Sequence, residues 1–232
     1  MDFMKILTSG AVVNLFTVLL GSGIGLLLKK GISERVKNTL MYGMALCVIY
    51  IGITGLLEKG SNIIVIIVSF ALGAILGELI DFDGKINKLG KKIESRFSKS
   101  EGKIAEGFVT ATLLFCVGAM TVVGSIESGI NGDNSTLYSK AVIDCVTSAA
   151  LASTFGFGVM LAACSVFIIE GGITLLANLV SPVLSTEAVT QMTIIGSALI
   201  IALGLNMLGV TKIKVMNYLP CIFLPLLFCL II

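Results

Sequence analysis

Hydrophobic residues in this chain are gathered into long uninterrupted stretches, and short polar segments separate them. About 20 apolar residues in helical conformation cross a hydrocarbon core of about 30 Å. Six stretches are of that length, and each predicts one transmembrane helix. They lie at residues 7–28, 37–57, 61–81, 107–127, 189–209 and 214–232.

Residues 140–180 form a further apolar region that is too long for a single crossing. Its segment 153–158 reads Ser-Thr-Phe-Gly-Phe-Gly, and the two glycines permit a tight turn. We therefore expect two helices here, joined as a hairpin. The fold class is all-α: a polytopic membrane helical bundle of about eight transmembrane helices, forming a single integral membrane domain over 1–232.

Composition supports lipid as the solvent for most side chains. Hydrophobic residues make up 56% of the chain and charged residues 13%, and the mean hydropathy is +1.05. A soluble domain cannot bury that much apolar surface. The chain is accordingly predicted to have the lipid bilayer as its main partner.

The basic residues predict the orientation. If both termini lie outside, 13 of the 16 lysines and arginines fall in inner loops, and only Lys5, Lys59 and Lys140 fall outside. Positively charged loops of membrane proteins stay on the cytoplasmic side. This distribution predicts that both termini lie outside. It also accounts for the net charge of +2, which therefore does not indicate nucleic-acid binding.

Residues 82–106 are the one extended polar segment, predicted on the cytoplasmic side. Ile86, Leu89, Ile93 and Phe97 recur at spacings of three and four among basic residues. This periodicity predicts a basic amphipathic helix at the membrane surface. The alternative is a cytosolic docking or gating element.

Weak internal similarity is compatible with an inverted repeat, a common plan in transporters. Glycine pairs recur eleven residues apart in the first and fourth spans, and the third and sixth spans each carry an acid, Glu78 and Glu170. A 3+3 inverted repeat with two extra C-terminal helices would produce this pattern. Chance resemblance between glycine-rich helices would produce it equally well.

A few polar residues inside the predicted spans are the candidates for chemistry. An ionisable group in a span costs roughly 2.5–3.5 kcal/mol and normally faces a cavity or a partner. Asp144 and Glu170 lie on sequence-adjacent antiparallel helices, and each is followed four residues later by a hydroxyl, Ser148 or Thr174. Such oxygens suit a hard cation or a proton. The alternative is a structural hydrogen bond between the two helices.

Asn14 is a fifth candidate for lining the same path, because a surface of small residues continues from it along the first span. Glu78, beside Asp81 and Asp83, is more typical of an interfacial charge than of a ligand. The predicted ion- or substrate-binding set is therefore Asp144, Ser148, Glu170, Thr174 and Asn14.

The sequence carries no signature of an enzyme, a metal centre or a cofactor. It has no histidine, no phosphate-binding loop and no nucleophile motif, and its six cysteines show no metal-ligand spacing. We expect no enzymatic activity, no metal and no cofactor.

Two small-xxx-small pairs, Gly21/Gly25 and Gly73/Gly77, predict close helix packing. They favour packing inside one bundle. A contact in a two-fold homodimer is the other interpretation.

Several motifs resemble those of the YqgA/YdfK family of bacterial inner-membrane proteins, which carry a domain of unknown function, number 554. They are Phe-Cys-Val-Gly-Ala-Met at 115–120, Gly-Ser-Ile at 124–126, Lys140 ahead of Asp144 and Ser148, Gly-Leu-Asn-Met-Leu-Gly at 204–209 and Asn-Tyr-Leu-Pro at 217–220. The resemblance covers the whole chain and implies a bacterial cytoplasmic membrane location, but no substrate. It also places Asp144 and Ser148 among the motif-bearing polar positions.

The function predicted from these features is a secondary transporter or channel for a small solute or cation, with sodium or a proton favoured. Its polar site would lie in the outer half of the bundle. The alternative is a non-transporting scaffold or regulatory protein that acts through the basic segment 82–106.

Overall fold

The structure is a computed structural model, and it describes residues 10–29, 34–88, 104–180 and 184–231. Of these residues 88% are helical and none forms a strand. The chain is therefore an all-α, polytopic membrane protein, as predicted. Its helices are α1 Gly10–Lys29, α2 Glu34–Leu56, α3 Ile63–Ile80, α4 Ile104–Cys116, α5 Ala119–Asn131, α6 Ser135–Phe155, α7 Phe157–Leu175, α8 Ala177–Val180, α9 Thr186–Met207 and α10 Leu219–Ile231.

Five of the described helices are long and apolar enough to cross a membrane: α1, α2, α3, α7 and α9. The pair α4–α5 makes a sixth if it counts as one crossing. Helix α6 has 21 residues but carries Lys140 and Asp144, and α10 has only 13 residues. The count of eight crossings, and the inverted repeat, thus stay predictions.

The fourth predicted span, 107–127, is divided into two helices. Helices α4 and α5 meet at Val117–Gly118 and are bent by 58° relative to each other. At the break, the Thr121 hydroxyl donates to the carbonyl oxygen of Phe115 at 3.0 Å. This bond satisfies a carbonyl that the interrupted helix leaves free.

The predicted hairpin between α6 and α7 is confirmed. Helix α6 ends at Phe155, α7 begins at Phe157, and Gly156 between them has φ 78°. Glycine populates positive φ without the steric penalty of a side chain, which permits the abrupt turn.

The chain divides into two compact units. The first contains α1 and α4 to α8, and the second contains α3, α9, α10 and all but the first turn or so of α2.

In the first unit α1 and α6 run side by side in the same direction. Gly21 lies against the backbone of Cys145, and Gly25 lies against that of Ala149, so a Cβ at either glycine would overlap a carbonyl oxygen. The Gly21/Gly25 pair therefore serves internal packing, as predicted. This close approach fixes the register that brings Asn14 of α1 to Asp144 of α6.

In the second unit α3 packs on the C-terminal segment. Gly73 lies against Cys221 and Gly77 against Asn217, again as internal packing. Glu78 accepts hydrogen bonds from Asn217 at 2.6 Å and from Lys214 at 2.8 Å. Its side chain is 62% exposed, consistent with the predicted interfacial charge.

The predicted amphipathic segment 82–106 is described only at its two ends. Residues 82–88, which include Ile86, are helical, and residues 104–106 begin α4. Residues 89–103, with Leu89, Ile93 and Phe97, lie outside the described residues.

Candidate functional site

Polar residues occupy positions on the buried faces of three helices in the first unit. On α1 the buried positions Ala11, Asn14 and Val18 recur at spacings of three and four. On α6 Lys140 and Asp144 lie one turn apart on the buried face. On α7 Glu170 follows Val166 by four residues. Helical periodicity therefore directs these side chains into the protein rather than toward lipid.

The four polar side chains form one hydrogen-bonded cluster of Asn14, Lys140, Asp144 and Glu170, called here the buried cluster. The amide nitrogen Nδ2 of Asn14 donates to Asp144 Oδ2 and to Glu170 Oε1, at 2.9 Å in each case. The Lys140 ammonium forms ion pairs with both carboxylates, with its Nζ 3.2 Å from Glu170 Oε1 and in direct contact with Asp144 Oδ2. Helix α1 thus contributes a neutral donor, α6 a cation and an anion, and α7 a second anion.

Burial of the cluster is nearly complete. Asn14 and Glu170 have no exposed surface, and Asp144 and Lys140 are 5% and 6% exposed. With all three ionisable groups charged, one ammonium faces two carboxylates and the formal charge is −1. Such excess charge is unfavourable in a low-dielectric interior unless a further cation or proton compensates it.

One fully buried carboxylate oxygen of the cluster has no partner. Glu170 Oε2 is buried and makes no hydrogen bond, whereas Glu170 Oε1 accepts from both Asn14 and Lys140. An ionised oxygen left unpaired in a protein interior is costly. Because no hydrogen bond occupies it, Glu170 Oε2 is the atom of the cluster best able to accept a proton or a cation.

Of the five predicted site residues, the structure brings Asn14, Asp144 and Glu170 into contact. Ser148 instead donates to the carbonyl oxygen of Cys145 at 2.9 Å and packs against Gly21. Thr174 is buried one turn beyond Glu170, and its hydroxyl has no hydrogen-bond partner. Both hydroxyls lie near the cluster on the helices that carry the acids, without being bonded to it.

Lys140 is the residue that the sequence analysis missed. The charge count places it outside, at the start of a span, but α6 begins five residues earlier at Ser135, so Lys140 lies in the second turn of the helix with its ammonium buried. The signal was its spacing of four residues from Asp144, which places the two side chains on one helix face.

The break between α4 and α5 lies beside the cluster. The Lys140 ammonium is 6.0 Å from the centre of the Phe115 ring, in the last turn of α4. A cation at this distance from an aromatic ring is attracted to its face. The interrupted helix and the buried charges therefore occupy one region of the first unit.

Within the part of the chain that the structure describes, no group of three or more histidine, cysteine, aspartate or glutamate residues could hold a metal ion. The buried cluster has only two carboxylates, and an ammonium already lies between them.

Comparison with known proteins places the chain in a family. A family model described as "Protein of unknown function (DUF554)" matches residues 9–230. The chain is 37% identical over 219 residues to the Uncharacterized membrane protein YdfK of Bacillus subtilis (strain 168), covering 93% of each. It is 28% identical over 222 residues to the Uncharacterized protein YqgA of Escherichia coli (strain K12), covering 94% of each.

No solved structure matches the chain. The family match over nearly the whole chain agrees with the resemblance drawn from the motifs at 115–126, 204–209 and 217–220. This membrane protein belongs to the DUF554 family.

Proposed function

We propose that the protein is a secondary transporter or channel for a small cation, sodium or a proton, and that the buried cluster is its ion site. The observation that carries the proposal is a buried lysine that pairs with two buried carboxylates, an arrangement with a formal charge of −1 when all three groups are ionised. A structural ion pair would need one partner for each charge. The second carboxylate provides a place for one exchangeable positive charge.

The free-energy cost of placing the ionisable residues of the cluster in the membrane supports a functional role. Each ionisable residue in a membrane span costs roughly 2.5–3.5 kcal/mol on insertion scales, and such residues typically line ion pathways or proton relays. Three of them meet here with the Asn14 amide. Packing alone would be served as well by apolar residues of similar volume.

The interrupted helix α4–α5 gives independent support. Transporters of several folds place their ion sites beside discontinuous helices, whose free backbone groups and loosened packing permit movement. In this chain the break at Val117–Gly118 lies next to Phe115, whose ring centre is 6.0 Å from the Lys140 ammonium.

The proposal includes roles for the individual side chains. Asp144 and Glu170 provide the negative charge that attracts the cation, Asn14 holds the two carboxylates together, and Lys140 acts as a fixed counter-ion. Ser148 and Thr174 add neutral oxygens along the path. We propose no catalysis, because the proposed chemistry is confined to ion exchange.

The setting of the site belongs to the same proposal. We propose a bacterial cytoplasmic membrane with both termini outside, and a homodimer. With Lys140 buried in the cluster, 13 basic residues fall in the proposed inner loops and two, Lys5 and Lys59, outside. The positive-inside rule supports this orientation.

The test is current measurement in proteoliposomes on a solid-supported membrane, under sodium, potassium and proton gradients. Wild type is compared with Asp144→Asn and with the control Asp133→Asn, an exposed aspartate in the loop before α6. A current that only Asp144→Asn abolishes supports the proposal. Absence of current for the folded wild-type protein under every gradient contradicts it, and would favour a scaffold acting through residues 82–106.

A further inference from the structure

Unpartnered polar oxygens are concentrated in the first unit. The hydroxyls of Ser22, Thr110, Ser125 and Thr174 make no hydrogen bond, and neither does Glu170 Oε2. Ser22, Thr110, Ser125 and Glu170 have no exposed surface, and Thr174 is 5% exposed. Buried polar groups are almost always paired with protein or with ordered water. The first unit contains a sixth such oxygen, on the less buried Thr112; the five on these nearly or fully buried residues indicate positions that bind water.

Two of these hydroxyls lie between the buried cluster and the α6–α7 hairpin. Ser22 follows Asn14 by two helical turns, about 12 Å along α1. Gly25, one turn beyond Ser22, packs on Ala152 near the end of α6. On α4, Gly107 packs on Phe155 at the hairpin, so Thr110 lies between the hairpin and Phe115.

The other two hydroxyls lie on the opposite side of the cluster. Thr174 follows Glu170 by one turn of α7, about 6 Å, and its backbone packs on Gly129 of α5. Gly124, beside Ser125, packs on Leu137 at the start of α6. Hydroxyls thus precede and follow Glu170 along the length of the unit.

The ligands free at the cluster favour a proton over a metal cation. Hard metal ions take about six or more oxygen ligands. Here Asp144 Oδ2 and Glu170 Oε1 are each engaged by both Asn14 and Lys140, which leaves Glu170 Oε2 as the buried unpaired oxygen. A proton needs only one oxygen. The titratable groups facing Glu170 are Lys140 and Asp144 of α6 and Cys116 of α4.

We propose that the ion carried through the cluster is the proton, which binds at Glu170 Oε2 and reaches it through water held by the two sets of hydroxyls. A hydronium on one side breaks an O–H bond and Glu170 Oε2 forms one. The carboxylic acid then returns the proton to water on the other side, and no oxidant or reductant takes part. This inference rests on the proposed transport function and narrows its substrate from a small cation to H⁺.

Proton flux is measured with a pH-sensitive dye enclosed in proteoliposomes, driven by a potassium diffusion potential set with valinomycin. Wild type is expected to acidify the lumen, and Glu170→Gln to lose the flux. Glu78→Gln is the matched control, because Glu78 is an exposed interfacial carboxylate, and it should retain the flux. The dye responds to protons alone, so parallel electrical recordings with sodium distinguish the two proposals.

Sodium current without proton flux would overturn this inference and leave the proposed transport function intact. Absence of flux for every ion would overturn both. Loss of proton flux in Glu170→Gln alone, with Glu78→Gln active, supports both.

A second pair of variants keeps the inference testable if Glu170→Gln does not fold. Thr174→Val removes the unpartnered hydroxyl at nearly constant volume, and Thr174→Ser keeps the hydroxyl. The proposal expects lower proton flux in Thr174→Val and near wild-type flux in Thr174→Ser. Equal flux in both, at equal protein content, would contradict a water path on this side of Glu170.

Discussion

Removal of the Lys140 charge is the most direct probe of the buried cluster. Lys140→Met keeps an unbranched side chain of similar length but deletes the ammonium, which leaves Asp144 and Glu170 buried together with the Asn14 amide. Breaking a buried pair by removing one partner costs about 3–5 kcal/mol. For a chain of this size, that corresponds to a fall in melting temperature of roughly 6–20 °C.

Lys214→Met is the matched control for Lys140→Met. Lys214 also pairs with a glutamate, Glu78 at 2.8 Å, but the two side chains are 56% and 62% exposed. Exposed ion pairs often contribute nothing measurable. The melting temperature of Lys214→Met should therefore stay close to that of wild type.

The double variant Lys140→Met/Asp144→Asn tests whether charge is the cause. It removes one carboxylate charge together with the ammonium, so only Glu170 remains ionisable in the cluster. We expect it to be more stable than Lys140→Met alone, a non-additivity that contacting residues show. Additive losses would indicate that Lys140 matters for packing and not for charge.

The assay must suit a chain without tryptophan, in which intrinsic fluorescence is weak. A thiol-reactive fluorogenic dye reports unfolding in detergent once the exposed Cys47 and Cys164 have been blocked with a non-fluorescent maleimide, because Cys221 is buried and becomes reactive as the helices separate. Circular dichroism at 222 nm provides an independent transition. If the melting temperature of Lys140→Met equals those of wild type and Lys214→Met, the reasoning is refuted. That result would mean that the Lys140 ammonium does not stabilise the two buried carboxylates.

Three further predictions concern packing, hydrogen bonding and acid stability. Gly21→Val should destabilise the protein by about 1–3 kcal/mol through overpacking on the α6 backbone. Gly23→Val should not, because a Cβ there would meet only the end of the Met160 side chain at 4.0 Å; the melting temperatures of the two variants test this. Asn14→Ala should lower the free energy of unfolding by about 1.5–3 kcal/mol for each hydrogen bond lost to a charged acceptor, which denaturant unfolding measures. An unchanged denaturation midpoint would exclude the hydrogen bonds to Asp144 and Glu170. The Ser135 backbone N–H and hydroxyl hold the pKa of Asp133 below its usual range. The stability that the ionised Asp133 carboxylate contributes to the folded state is therefore fully present above the unfolded pKa of about 3.9. It is lost as the pH falls through the lower pKa of the folded state. Melting curves across that range should differ between wild type and Asp133→Asn, and parallel curves would contradict this.

Local features of the fold could be predicted from the sequence, because they depend on residues close together in the chain. The α6–α7 turn follows from glycines inside an apolar region too long for one crossing, and Gly156 does adopt positive φ. The spacing of Gly21/Gly25 and of Gly73/Gly77 is likewise local and predicted close packing, whereas the helix that each pair packs against could not be read from it.

Features that depend on distant contacts could not be predicted in the same way. The bend at Val117–Gly118 interrupts a continuous apolar run, and a glycine there has no signature that distinguishes it from the many other glycines. Asn14 was expected near the path, but its bonds to Asp144 and Glu170 link residues 130 and 156 positions apart. Charge counting places Lys140 outside because it treats every lysine near a span end as solvated, whereas this one is buried and paired.

The spacing of Lys140 and Asp144 also has a consequence for biogenesis. The two residues are four positions apart on α6, so their ion pair can form as soon as this helix forms, before α7 is present. A nascent segment that would otherwise carry two separate charges into the translocon enters as a nearly neutral unit. Glu170 has no such partner on α7 and depends on α6. The two helices are therefore expected to enter the bilayer together as a hairpin, with α6 leading.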